Sequence, residues 1–437
     1  MRTNFHTRTT QFTFNGAPSS PVPPLQKLRR LVLASMLWED TFYVDGVDSA
    51  KMIEEVCGQI KPNQIVDIAL EAHEKGLLRH MPLYLIVQAL KRGATCKNAI
   101  STVCNRPDQM TELLSLYWKN GKTPLASQLK RGLAHAFTRF DAYQLAKYNR
   151  DNPIKLRDIL FLCHAKPKDE SQAETWKQLV SNTLPTPDTW ETRLSAGNDK
   201  KDSFQELLEA GKMGRLAIIR NLRNMFEAGV PKDLVRSSLL KKSRPLLPFQ
   251  FLAAAKACPQ WEDIADESMI QSMQERPKML GKTSVFVDVS GSMIDKISSK
   301  SETLRVDAAA GIAIMLREMC PNVEFHTFSN HLALIPNRQG MALRDAIVKS
   351  QPMSGTYLGN ALSLYNQTYP NKRNDRVIVI TDEQVNDLVP EVYADRCYII
   401  NVGNYPNGIK NNGRWFTITG FSENVIDYIL EIEKENT

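Results

Sequence analysis

No run of about 18 apolar residues occurs in the 437-residue chain, so no segment is suited to span a membrane as a helix. No C-x-x-C pair occurs among Cys57, Cys96, Cys104, Cys163, Cys258, Cys320 and Cys397, which argues against zinc ribbons and thioredoxin-like sites. An odd, scattered set in a long chain predicts reduced thiols and a cytoplasmic setting. The first 24 residues lack the apolar core of a secretory signal; they hold Pro18, Pro21, Pro23 and Pro24, with Arg2, His6 and Arg8 and no acid. A flexible tail over 1–24 is expected. Two G-K-T strings lack the glycine that a phosphate-binding loop needs five positions earlier: Arg276 stands there before Gly281 and Leu116 before Gly121. Ser290 is not in G-x-S-x-G, and the residue two places after Asp288 is not acidic, as an aspartate-based phosphatase requires. These absences predict a protein that is not an enzyme.

What is present is ordinary for a folded chain: 42% hydrophobic and 24% charged residues, which excludes wholesale disorder. The net charge of +7 is unevenly spread. Residues 1–280 hold 40 basic and 30 acidic side chains, and 281–437 hold 15 and 18. Lys119 to Lys168 contains 11 basic and 3 acidic residues, and Lys212 to Lys256 contains 10 and 2. Such asymmetry points to an anionic partner for the first part, nucleic acid foremost.

From Leu25 to about Glu275 the apolar spacing is helical. Leu83, Ile86, Val87 and Leu90 form one stripe; Leu125, Leu129, Leu133 and Phe137 form another. Prolines punctuate these segments, several near first helical turns. An α-solenoid of irregular helical pairs is expected over 25–280. At Lys282 the grammar changes. Apolar strands SVFVDVS, VEFHTFS, RVIVIT and RCYIINV alternate with helices, which predicts a doubly wound, mostly parallel sheet over 281–437. The fold class is therefore α followed by α/β, with sites at the carboxyl ends of the strands.

Asp288, Ser290 and Ser292 form D-x-S-x-S directly after the first of these strands. Thr356 stands in S-G-T before a helix, and Asp382 follows VIVIT. Two carboxylates and three hydroxyls are hard oxygen donors, suited to Mg²⁺. The pattern resembles the metal-ion-dependent adhesion site of von Willebrand factor A domains. The resemblance implies that Asp288, Ser290, Ser292 and Thr356 hold the ion, with Asp382 acting through water.

A basic helical array ahead of such a domain resembles the TROVE-domain family of Ro 60 kDa-like proteins. The words that carry the resemblance are LWEDTFY (37–43), LKRGLAHAFTRF (129–140), LAKYNRDNPIKLRDILFLCHAKP (145–167), LAIIRNLRNM (216–225) and SRPLLPFQFLAAAK (243–256). It implies a HEAT-like ring of helices closed by the A domain. It also implies binding of Y-like small noncoding RNA and of the single-stranded 3′ ends of misfolded RNA. Lys147 and His164 match RNA-contacting positions of the family. Arg150 lies one place from another, and Lys130, Arg131 and Lys166 fall in the same basic segments. Arg215, Arg220 and Arg223 either line the central hole or pair with neighbouring acids. Tyr143 and Tyr148 are expected to pack rather than stack on bases. Lys147 and Arg150, three apart, are expected on one helix face.

The expected function is RNA binding in RNA quality control or as a ribonucleoprotein scaffold, by a monomer. The family also implies polynucleotide phosphorylase or another exonuclease as a partner. The rival class is a Mg²⁺-dependent protein-adhesion scaffold without RNA. A metal-dependent nuclease ranks below both, because the site has no clear base.

Overall fold

The computed structural model describes residues 11–12, 18–20, 23–34, 46–74, 78–241, 246, 248–274, 276–297, 302–403, 408–409, 414–420 and 424–435. Most of the segment read as a tail lies outside these, as do LWEDTFY and part of the 243–256 word. By packing, Ala50–Met213 forms one unit, and Met1–Ser49 with Gly214–Thr437 forms another. The change of grammar read at residue 281 is a change of secondary structure: the first long strand begins at Lys282.

Within Ala50–Met213 every second helix stacks. Pro62–Glu74, Lys97–Val103, Ser127–Phe137 and Leu156–Cys163 form one row. His80–Lys91, Pro107–Tyr117, Ala142–Tyr148 and Glu170–Ser181 form the other. Pro62 and Pro107 open their helices, where a missing N–H costs nothing. Asp141 caps the next but one: its carboxylate accepts from Gln144 N at 2.7 Å while the Gln144 side chain accepts from Asp141 N at 3.1 Å. Leu129, Leu133 and Phe137 are fully buried, and Phe137 meets Trp176 edge to face at 5.2 Å. Gly132 lets two helices of one row touch, because a Cβ there would stand 2.7 Å from Ile100 Cβ.

The other unit is built on a six-stranded sheet. Numbering all strands in chain order, β1 is Gln11–Phe12, β2 Pro18–Ser20, β3 Lys282–Asp288, β4 Asn322–Phe328 and β5 Leu332–Ile335. Then come β6 Asn374–Thr381, β7 Ala394–Asn401, β8 Gly408–Ile409 and β9 Trp415–Thr419. The sheet runs β5-β4-β3-β6-β7-β9, with β5 alone antiparallel. Val285, Phe286 and Val287 are buried on both faces, as a sheet covered by helices on both sides requires. From β3 the chain goes to β4 on one side and returns to β6 on the other. The switch point of the winding therefore lies at the carboxyl ends of β3 and β6, where Asp288 and Thr381 stand. A second, small sheet joins β1, β2 and β8.

At the opposite end of the large sheet, Glu324 on β4 gathers a polar network. Its Oε1 accepts from Ser284 Oγ at 2.7 Å, Tyr365 OH at 2.9 Å and His326 Nε2 at 3.3 Å, and Lys372 pairs with Oε2. Burial alone would raise its pKa, but the hydrogen bonds from His326, Lys372, Ser284 and Tyr365 outweigh burial. They hold the carboxyl well below the ordinary carboxylate range. A depressed folded pKa gives stability that is present above the unfolded value of about 4.3 and is lost as pH falls toward the folded one. Glu324→Gln is expected to cost about 1–3 kcal/mol at neutral pH and to flatten the fall of stability below about pH 4. Thermal unfolding as a function of pH checks both.

Candidate nucleic-acid interface and metal loop

The two basic stretches, alike in sequence, differ in what their charges do. In the first, the side chains of Lys130, Arg131, Arg150, Arg157, Lys166 and Lys168 make no ion pair among the described residues. Lys155 is paired with Asp151 at 2.7 Å, and Arg139 donates to the Cys104 carbonyl at 3.0 Å. Cations left without local acids face water and are available to phosphate.

Lys130 and Arg131 sit in the Ser127–Phe137 helix, Arg131 exposed and Lys130 half-buried. Lys130 lies close enough to Cys163 to offset part of the rise that burial gives that thiol, which still reaches about 12. His164 ends the Leu156–Cys163 helix in the left-handed region at φ 50°, its N–H bonded to the Leu160 and Phe161 carbonyls. The imidazole is exposed, so the backbone does the capping and the ring is left for another task. Lys130 and Arg131 thus lie on one row of helices, with His164 and Lys166 in the chain that leaves the same row. Lys147 belongs to Ala142–Tyr148 in the other row.

Three local expectations change. Arg150 is not on the helix face of Lys147, because the helix ends at Tyr148 and is followed by a chain turning toward Pro153. Tyr143 is not packed away: it is 49% exposed, with the Lys147 ammonium 5.9 Å from its ring centre. Arg215 is held by backbone and hydroxyl acceptors. It is buried and donates to the Leu239 carbonyl at 2.9 Å, Ser272 Oγ at 2.9 Å and the Lys241 carbonyl at 3.1 Å.

Elsewhere in the second stretch the charges are largely committed. Lys212 pairs with Asp188 at 2.8 Å and Lys232 with Asp263 at 2.8 Å. Arg236 pairs with Asp263 and Glu267, and Lys256 with Asp307. Arg220 and Arg223 line a cavity of about 410 Å³ with Leu216 and Phe249, although Arg223 also reaches Glu227 at 3.7 Å.

The five residues of the metal pattern come to the same end of the sheet. Asp288 Oδ1 accepts from Ser290 N at 2.8 Å and Oδ2 from Thr381 Oγ1 at 2.6 Å. Ser290 Oγ and Ser292 Oγ are 3.4 Å apart. Gly291 N donates to the Ser354 carbonyl at 2.7 Å, which draws the loop carrying Thr356 against the first loop. Asn386 ties Thr356 to the segment after Asp382: its Oδ1 accepts from Thr356 N, and its N donates to the Thr356 carbonyl, both at 2.9 Å. Asp288 and Asp382 are fully buried. Burial, and then the charge of Asp382, push the Asp288 carboxyl upward. Among the described residues no group of three His, Cys, Asp or Glu is placed to hold a metal ion. The cluster instead combines two carboxylates with hydroxyls, a donor set that fits a hard divalent cation.

Sequence reasoning missed the cations around this loop. Arg305 is buried, donates to the Ser292 carbonyl at 3.2 Å and approaches Asp382 Oδ2 to 3.7 Å. Glu383, next in the chain, is buried at φ 62° and forms a two-armed pair with Arg30 at 3.0 Å. Its Oε2 also accepts from Ile409 N at 3.0 Å. Nothing near Glu383 in sequence announces Arg30, which stands 353 positions away.

Comparison with known proteins adds two findings. Residues 181–307 match the TROVE domain family. Among solved structures the chain is similar to the Ro (RSR) protein of Deinococcus radiodurans, at 18% identity and a TM-score of 0.60. That match covers 94% of this chain and all of the other. At that identity the likeness establishes the fold: a helical region followed by a mixed-sheet domain.

Arg215 lies inside the matched segment, and its geometry gives it a structural task. Arg215→Met is expected to cost about 2–4 kcal/mol, because one buried and two partly buried acceptors lose their donor. It is expected to leave nucleic-acid affinity unchanged once folded. Denaturant unfolding and a binding titration separate the two.

Proposed function

With a TROVE-domain match and a Ro-like fold as the premise, we propose that this protein is a noncatalytic RNA-binding protein of the cytoplasm. The match and the fold support membership of an RNA-binding ribonucleoprotein family. The observation that carries the reading is the set of cations that make no ion pair among the described residues, Lys130, Arg131, Arg150, Arg157, Lys166 and Lys168, on and beside paired rows of helices. Lys130, Arg131, Lys147, Arg150 and Lys166 contact phosphate, and His164 donates to phosphate or stacks on a base. The ligands are a Y-like noncoding RNA and misfolded RNA with a single-stranded 3′ end. An exonuclease such as polynucleotide phosphorylase acts as a partner, and the protein works as a monomer.

Binding built on phosphate contacts falls with salt, by about 0.7–0.9 in log affinity per log salt for each phosphate neutralised. Purified protein is expected to bind structured RNA with micromolar or tighter affinity at low salt, and absence of binding there rejects the reading. Replacing Lys147, Arg150 and His164 together by Ala is expected to weaken binding by about tenfold or more, since 1.4 kcal/mol is a factor of ten. His164→Gly isolates one role. Glycine accepts φ 50° without strain, so stability is expected to hold or rise while affinity falls. Anisotropy titrations and melting curves measure both.

The loop at Asp288 supports a second activity of the same chain. Asp288, Ser290, Ser292 and Thr356 would hold a divalent cation such as Mg²⁺, with Asp382 behind them. The ion would supply an electrophilic position for an acidic group of a protein partner. Removing one of two mutually repelling carboxylates is expected to leave Asp288→Ala folded. Mg²⁺ is expected to raise the melting temperature of the unaltered protein and not of the variant, with RNA affinity the same in both. A Mg²⁺ shift that persists in Asp288→Ala rejects the site.

A further inference from the structure

The Leu156–Cys163 helix carries an aromatic ring that the phosphate-binding reading does not use. Phe161 is 58% exposed. It stacks on no other ring and lies under no cation among the described residues. Arg157 stands four positions before it and His164 three after. Arg157 and Phe161 fall on one face of the helix, His164 follows at its carboxyl end, and all three are exposed. The side chains of Arg157 and His164 make no ion pair or hydrogen bond among the described residues. Lys130 reaches the end of the same helix beside Cys163. The result is a bare apolar ring set midway along a row of uncommitted basic groups.

We infer that Phe161 is a stacking platform for an unpaired base, and that this face selects single-stranded over fully paired RNA. The inference rests on the RNA-binding reading. A solitary exposed ring gains little from a phosphate and much from the face of a base. Bases in a duplex are stacked on one another, so their faces are closed to a side chain approaching from outside. In a single strand the faces are open. Arg157, one turn before the ring, and His164, just past the end of the helix, then take the phosphates that flank a stacked nucleotide. The charge of the row disfavours the other occupant of an exposed apolar ring, a hydrophobic segment of a protein. Such a segment gains nothing from uncompensated cations around it.

The test uses the full chain with two probes of equal length: a single-stranded oligonucleotide carrying 2-aminopurine and a blunt perfect duplex. Phe161→Ala is expected to weaken the single strand by about tenfold or more, to abolish the fluorescence quenching of the stacked base, and to leave the salt slope and the duplex affinity unchanged. Phe161→Tyr is expected to restore both affinity and quenching. Because Phe161 is exposed, the melting temperature is expected to stay constant. If the unaltered protein binds RNA and Phe161→Ala binds the single strand equally well, the stacking assignment falls while RNA binding stands, and the ring is left to a protein contact. Equal losses for strand and duplex also overturn it. If the unaltered protein binds neither probe at low salt, the RNA reading itself fails.

Discussion

A buried carboxylate is among the most expensive things a fold can contain unless it is compensated, and this fold buries three at one sheet end. Asp288, Asp382 and Glu383 are all fully buried at the switch point of the winding. Each is compensated differently. Glu383 takes the guanidinium of Arg30, Asp382 has Arg305 nearby, and Asp288 relies on a hydroxyl and a backbone N–H. This arrangement ties the helix Pro24–Ala34 to the sheet unit, where it also packs on β9. It also leaves Asp288 as the least neutralised of the three, which is the condition under which a divalent cation is useful.

The same economy of charge separates the two basic stretches. Counted along the sequence, they are equal. In space, Lys212, Lys232, Arg236 and Lys256 of the second are spent on Asp188, Asp263, Glu267 and Asp307. The first faces few acids, and those it has are used locally: Asp141 and Asp158 hold helix starts, and Asp151 holds Lys155. Composition reports how much charge a segment has. Packing decides how much of it a ligand meets.

Much of the α/β part was legible because parallel strands are short continuous apolar runs bounded by polar loops, a pattern set by burial on both faces. SVFVDVS, RVIVIT and RCYIINV each became a core strand within about two residues of the reading. The hydroxyl-rich loop was legible because its donors are two residues apart in one turn. The helical stack was legible in its 3–4 spacing, as at Leu129, Leu133 and Phe137. What stayed hidden was long-range pairing. Neither Arg30–Glu383 nor the carbonyl cage of Arg215 leaves a local trace, since any arginine looks alike until its neighbours are known. Tyr143 and Phe161 were hidden for the converse reason: a helical pattern predicts which side chains are apolar, not which are left outside.

The pair between Arg30 and Glu383 has a consequence for how the sheet half can be handled in isolation. A fragment cut where the strands begin, at residue 281, would carry Glu383 in a left-handed turn with its counter-ion removed. It would also lack β1 and β2, which pair with each other and reach β8. The piece that looks self-sufficient on paper is thus held shut by a clasp whose other half stands 353 positions earlier in the chain.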